Sequence, residues 1–314
     1  SETSEVFLWT PEKGLVDLGV KGSNCHINDQ GQIVGFWREP SEANPMNITV
    51  AWSPERGIVD LEELFGKKNL LRDINNRGEC LVVSQTTGKG RIQSLENSDD
   101  PIVIDVSPDL ILRPLGLNDV GRVFGTVVVD GGERGSFLWG EGGFQVADSG
   151  TQTSFLLFKG MNNHGQVIGR EVFSSGTYRG FFWEGGKVRS LKDLDGPFCS
   201  AEGINDRGQI VGYATNPKSK ILNFLDKQSP KNQLLQKVLN SLKGFFRNRS
   251  DREAILWEDR DIIVLNDAIP PDSGWTLFEA VAVNNKGQIA GTGHVNGKYH
   301  AYLLTPIDEE TGGG

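Results

Sequence analysis

A chain of 314 residues, 37% hydrophobic and with 40 glycines, has the apolar material for a real core. It must also turn often and tightly, since glycine ordinarily supplies roughly 7% of a chain. No run of about 18 apolar residues is present and residues 1–20 lack the charged start and apolar stretch of a signal peptide, while a net charge of −9 and a pI near 5.1 argue against nucleic-acid binding by phosphate neutralisation.

The chain opens on a strand-like run, Phe7-Leu8-Trp9, followed by GLVDL at 14–18 and then by INDQGQIVG at 27–35. These three elements recur in order. The Asn-Gly motif returns at 74–82, 117–125, 161–169, 204–212 and 283–291, and its first glycines are separated by 47, 43, 44, 43 and 79 residues. The aromatic run returns as VAW at 50–52, in degenerate form near Ile92, then as FLW at 137–139, FFW at 181–183, ILW at 255–257 and HAYLL at 300–304. The third element follows at 57–61, 101–105, 143–147, 187–191 and 261–265.

Each motif has a physical sense. Asn followed by Asp or Asn makes a turn, because these side chains bond the local backbone, and the glycine three places on takes the left-handed conformation that closes it. The second glycine, four residues later, lets neighbouring backbone or a bulky side chain approach closely. In the second repeat that place is Val82. Each period therefore holds four strands in about 43 residues, the arithmetic of a propeller blade. The expected fold is an all-β, six-bladed β-propeller of four-stranded antiparallel blades, one domain over 1–314, with a helical insertion. Closure is expected where the strand at 14–18 completes the blade that 300–304 leaves one strand short. The strand at 7–9 is then surplus. Trp9, Trp52, Trp139, Trp183 and Trp257 share one place in the repeat, which reads as packing between blades.

Between the fifth and sixth motifs lies an insertion at 216–250. It sets eight Lys and Arg residues against the single Asp226, a net of +7. Asn216-Pro217 and Ser229-Pro230 are helix openings. After the second, Leu234, Leu235, Val238, Leu239, Leu242, Phe245 and Phe246 recur at helical spacing, which predicts a basic amphipathic helix. Lys231, Lys237, Leu239, Lys243, Phe245 and Phe246 are its partner-facing candidates, directed to a protein or an anionic membrane surface.

The chemistry-bearing residues form no linear active-site motif. His26, His164, His294 and His300 have no metal-type spacing, and Asp29, Asp119 and Asp206 read as turn makers because Asn replaces them in the other repeats. No cofactor and no metal is expected. Cys25, Cys80 and Cys199 read as buried reduced thiols, with a bridge between Cys25 and Cys199 as the alternative.

The sequence resembles the HAF-repeat family of bacterial proteins. His300-Ala301-Tyr302 is the best copy of the strand that names the family, and Ser136-Phe137-Leu138-Trp139 and Gly180-Phe181-Phe182-Trp183 are variants, each following an Asn-x-x-Gly-x-x-x-Gly hairpin. Nearly the whole chain outside 216–252 takes part. The resemblance implies an extracellular or cell-surface location and no particular activity.

Because folding accounts for the regular repeat, specificity falls to the variable loops. The expected function is a non-enzymatic, monomeric binding or scaffolding propeller with a protein or carbohydrate ligand. Its candidate contacts, on the face opposite the Asn turns, are Trp37, Arg38, Arg170, Tyr178 and Trp275. The alternatives are an enzyme whose groups come from several blades and an amplified or engineered repeat without a selected ligand.

Overall fold

The computed structural model describes residues 5–38, 47–66, 68–96, 100–104, 110–128, 134–147, 149, 153–216 and 252–307. The chain divides into two compact units, Ser1–Val146 and Ala147–Gly314.

In the first unit, β1 (Glu5–Thr10) pairs with the first half of β2 (Gly14–Ile27), with Thr10 opposite Gly14 and Glu5 opposite Lys21. The second half of β2 turns to β3 (Ile33–Arg38), and β4 (Asn47–Ser53) and β5 (Gly57–Asp60) complete that sheet. A four-residue helix, α1 (Glu62–Phe65), leads to the next blade: β6 (Asn69–Ile74), β7 (Glu79–Ser84), β8 (Gly90–Ser94) and β9 (Ile102–Val103). A third comprises β10 (Ile111–Leu117), β11 (Val123–Val128), β12 (Arg134–Gly140) and β13 (Gly143–Ala147).

The second unit repeats the pattern. One blade holds β14 (Ser154–Met161), β15 (Val167–Phe173), β16 (Tyr178–Glu184) and β17 (Lys187–Ser190). The next holds β18 (Cys199–Ile204), β19 (Ile210–Thr215), β20 (Arg252–Glu258) and β21 (Asp261–Val264). A three-stranded sheet of β22 (Thr276–Val283), β23 (Ile289–Val295) and β24 (Lys298–Leu304) follows. The four-stranded antiparallel sheets are β-propeller blades, as the 43-residue period requires.

The blade count is corrected from six to seven. The Asn motif marks six sheets, but β2 is 14 residues long, too long for one blade, and a register shift at Ser23/His26 lets it serve two. Its first half and β1, the surplus strand at 7–9, form a seventh, two-stranded sheet. The expected closure is also corrected: Gly14–Leu18 takes β1 as its partner, and Lys298–Leu304 ends a three-stranded sheet. The helical reading of 216–250, with Lys231, Lys237, Leu239, Lys243, Phe245 and Phe246, lies outside the described residues.

The Asn turns do more than reverse the chain. Asn205 Oδ1 accepts from the N–H groups of Arg207 and Gln209, and its Nδ2 donates to Gln209 Oε1 at 2.7 Å and to the carbonyl of Asn284, the equivalent residue of the next sheet, at 2.9 Å. Asn162 donates to the carbonyl of Asn205 at 3.0 Å, and in the first unit Asn28 reaches Asn75 and Asn75 reaches Asn118 in the same way. The following residue adds a second rung. Asp206 Oδ1 accepts from the Asn163 N–H at 2.8 Å, and Asn285 Oδ1 accepts from the Asp206 N–H at 2.9 Å. Turn chemistry therefore clasps consecutive blades.

The second glycine is required at a bulge. A Cβ on Gly212 would lie 2.0 Å from the Ser200 carbonyl oxygen, and the register of β18 on β19 shifts between Ala201 and Gly203 beside it.

Between blades the cores interlock. Ile168 of β15 packs with Cys199 and Ala201 of β18 and with Ile255 and Trp257 of β20, and burying an isoleucine such as Ile168 or Ile255 stabilises the fold by about 1.5–3 kcal/mol. Trp183 and Trp257 are buried, and Trp257 Nε1 donates to the Lys192 carbonyl at 2.8 Å. Trp52 and Trp139 are half-buried. Trp9 departs from the packing expectation at 51% exposure, because its ribbon has only two strands. Cys80 and Cys199 are buried, reduced thiols, and burial pushes Cys199 up to about 12; Cys25 is instead exposed and unbridged.

Candidate functional site

Third strands begin at the end of a blade opposite its Asn turn, so Tyr178, Arg252 and Lys298 each mark that end of their sheets. There the second unit gathers its aromatic and cationic side chains. The Arg170 guanidinium sits over the Tyr178 ring, 4.9 Å from its centroid, and the Tyr178 hydroxyl meets that of Tyr213 at 2.7 Å. Arg252 covers the other ring, with its guanidinium carbon 3.9 Å from the Tyr213 centroid. Such contacts hold a guanidinium plane without using its N–H donors.

Beyond Arg252 opens a cleft of about 570 Å³ lined by Arg252, Phe278, Glu279, Thr292, Tyr299, His300 and Ala301. That volume lies within the usual range for small-ligand pockets, roughly 300–1,000 Å³. Arg252 Nη1 faces Glu279 Oε2 at 3.6 Å, with the two side chains 19% and 29% exposed. Among the described residues, the guanidinium makes this ion pair and the Tyr213 stack but no hydrogen bond. Tyr299 is 63% exposed. Its ring packs against Phe278 and His294, with centroids 5.9 and 5.6 Å away.

The electrostatics favour retention of the proton on Tyr213. Burial first, and then the hydrogen bond with Tyr178, push the Tyr213 hydroxyl well above the ordinary phenol range. Nearby carboxylates are occupied: Ser200 Oγ bonds Glu202 at 2.5 Å and Lys159 approaches its other oxygen at 3.5 Å. Among the described residues, no three His, Cys, Asp or Glu side chains group as metal ligands.

The sequence candidates divide. Arg170 and Tyr178 come together as an interacting pair, and the Arg170 Nε is buried with no hydrogen-bond partner. Trp275 lies behind the cleft, edge-on to His300 at 6.2 Å and to Tyr302 at 6.3 Å, and so supports the lining. Trp37 and Arg38 occupy the end of β3 in the first unit, where their side chains are outside the described residues.

Sequence reasoning missed Tyr213, Arg252, Glu279 and Tyr299. One signal was available: Arg170 and Tyr213 both directly follow the second glycine of their repeats, and Arg252 opposes Thr215 where the insertion rejoins the sheet. His300 and Ala301, from the His-Ala-Tyr strand, line the cleft.

The first unit holds another cavity, of about 650 Å³, with Trp52, Leu61, Leu64 and Leu95 among its walls. It opens at the Asn-turn end, and its floor is made of residues that pack two blades together.

No family model matches the chain, and neither does any curated protein. Solved structures do. The Pyrococcus horikoshii acylaminoacyl peptidase aligns with a TM-score of 0.50 at 11% identity over 91% of this chain and 44% of its own length. A gluconolactonase from Xanthomonas campestris aligns with a TM-score of 0.42 at 11% identity, covering 88% of this chain and 83% of its own, and a puromycin-hydrolysing peptidase from Mycobacterium tuberculosis gives 0.40 at 9%, covering 92% and 51%. This chain spans less than half the length of the first peptidase. At such identities the likeness is one of fold alone.

Proposed function

We propose that the protein is a non-enzymatic binding propeller that takes a protein or carbohydrate ligand in the cleft lined by Arg252, Glu279, Tyr299 and His300. The observation that carries this reading is Arg252, whose guanidinium lies over the Tyr213 ring at the cleft wall with donors unspent. Pre-positioned donors are what recognition needs, because the ordering cost is met before the ligand arrives. Tyr178 and Tyr213 bond each other, and burial pushes the Tyr213 hydroxyl well above the ordinary phenol range, which suits the pair to buttress a binding wall. The basic insertion leaves the sheet after Thr215 and returns at Arg252, so its attachment points lie at the rim.

An enzymatic reading rests on His300 and Glu279 sharing the cleft. The test is an array of glycans and peptides probed with the wild-type chain and with an Arg252→Met/Tyr299→Ala variant. Binding lost in the variant at an unchanged melting temperature supports the reading. Equal binding by both, or turnover of the bound probe by the wild type, overturns it.

A further inference from the structure

We infer that the cavity of the first unit is a second binding site, separate from the cleft beside Arg252, and that it takes a small organic cation with an aromatic ring. The first argument is how the cavity arises. In two other blades the repeat tryptophan packs on the residue that follows the fourth strand of the blade before: Trp139 joins the cluster that holds Ile104, and Trp257 the cluster that holds Leu191. Leu61 is that residue after β5, and the tryptophan place of the next blade is held by Gln93. Gln93 is shorter than an indole and accepts from Arg91 Nε at 2.7 Å.

A second replacement acts at the same blade contact. Ala51 opposes Val34, where Leu138 opposes Phe124, Phe182 opposes Ile168 and Leu256 opposes Val211. Small side chains thus stand where the other blades set large ones, and such replacements leave behind the space the lost atoms held. The cavity of about 650 Å³ lies there, with Ala51, Leu61, Leu64 and Leu95 among its walls. It is an apolar recess at a place where the repeat elsewhere sets an aromatic ring, and its volume falls within the range of small-ligand sites, roughly 300–1,000 Å³.

Charge gives the ligand its sign. Among the described residues the lining holds Glu55, Asp60 and Glu96 against Arg56, three carboxylates to one guanidinium and a net of −2. None of the four is in an ion pair among the described residues, so this charge is not cancelled by pairing. An acidic rim on a concave apolar surface draws in a cation and turns away an anion. Trp52, half-buried in the same wall, belongs to the residue type that holds an ammonium group best. The recess is therefore assigned to the ligand's ring and the rim to its ammonium group.

Calorimetric titration of the full chain with tryptamine, indole-3-acetate, indole and butylamine separates ring from charge. Tryptamine carries both and binds most tightly. Indole-3-acetate, the same ring with the opposite charge, and butylamine, the charge without the ring, each bind at least tenfold more weakly, and indole at least threefold more weakly. Ala51→Leu installs the side chain that two other blades carry at this place, and it weakens tryptamine binding tenfold or more with no fall in melting temperature. Glu55→Gln/Glu96→Gln, at exposed positions, weakens tryptamine binding at least threefold and leaves indole binding unchanged. Arg252→Met/Tyr299→Ala binds tryptamine as the wild type does. Indole-3-acetate or indole binding as tightly as tryptamine overturns the cation, and butylamine doing so overturns the ring. The site itself is overturned if tryptamine does not bind, if the Arg252→Met/Tyr299→Ala variant loses it, or if Ala51→Leu retains it. Should Ala51→Leu fail to fold, the double glutamine variant decides, and tryptamine binding at the wild-type level overturns the proposal.

Discussion

Arg91 Nε donates to Gln93 Oε1 at 2.7 Å, and together the two residues replace the aromatic core of their blade. Arg91 opposes Val82 where Phe137 opposes Gly125 and Phe181 opposes Gly169, and Gln93 opposes Cys80 where Trp183 opposes Val167. The loss of a bulky side chain and the gain of Val82 at the glycine place are one exchange. Arg91 also donates to the carbonyl of Phe65 at the end of α1, at 2.9 Å, and burial pulls its pKa down. The pair therefore depends on its hydrogen bonds.

Replacing Arg91 by Met should cost about 1–2 kcal/mol, because Gln93 Oε1 and the Phe65 carbonyl each lose the hydrogen bond from Arg91, the carbonyl keeping the one from Asn69 Nδ2 at 2.7 Å. Adding Gln93→Leu should then cost less than it does alone, with a coupling of about 1 kcal/mol in a denaturant double-mutant cycle. Strictly additive losses contradict the account.

The Asn ladder predicts that Asn205→Ala destabilises the fold by roughly 2–4 kcal/mol, since the side chain makes four bonds at a buried site and one of them joins two sheets. The exposed Asn296, in the β23–β24 turn at φ of +52°, is the control, and its Ala variant should cost less, about 1 kcal/mol of local backbone strain. Equal effects at the two positions contradict a role beyond local turn formation.

Two glycines of one motif separate strain from overlap. Gly208 has φ of +80° with nothing within 4 Å of a built Cβ, so Gly208→Ala should cost about 1–2 kcal/mol through backbone strain alone. Gly212→Ala drives a methyl to 2.0 Å from a backbone carbonyl, and should cost clearly more or prevent folding. Thermal melting of both variants checks the order, and the reverse order contradicts the bulge argument.

Asp206 ties the ladder to pH. Burial acts to raise its pKa, but the Asn163 N–H, the Asn285 and Asn163 side chains and the nearby His164 outweigh it and hold the carboxyl below its ordinary range. A pKa lowered by folding contributes stability above the unfolded value, which is lost as the pH falls through the folded one. Asp206→Asn should therefore cost about 1 kcal/mol at pH 7, modest because the group is partly exposed, and the difference from wild type should shrink toward pH 3. A constant difference across that range contradicts the assignment.

Much of the fold was legible because the motif residues do local jobs: Asn and the first glycine make turns, and the second glycine admits a carbonyl. The blade count was not, since the β1–β2 ribbon has no Asn turn and its two strands read as a remainder. The site was legible only in part. Arg170 and Tyr178 were expected as contacts on the face opposite the Asn turns, whereas Arg252, Glu279 and Tyr299 come from three strands of two sheets and acquire a common meaning only when those sheets pack.

The central claim is that the ligand enters the cleft beside Arg252, at the end of the blades opposite the Asn turns. Hydrogen–deuterium exchange of the full chain, with and without the tightest-binding glycan or peptide of the array, tests it most directly. The account predicts slowed exchange in 252–258, 276–283 and 292–302, with no change in the turns at 162–165 and 205–208. Protection centred on the Asn turns, or on 52–64 around the first unit's cavity, with 292–302 unchanged, would contradict it.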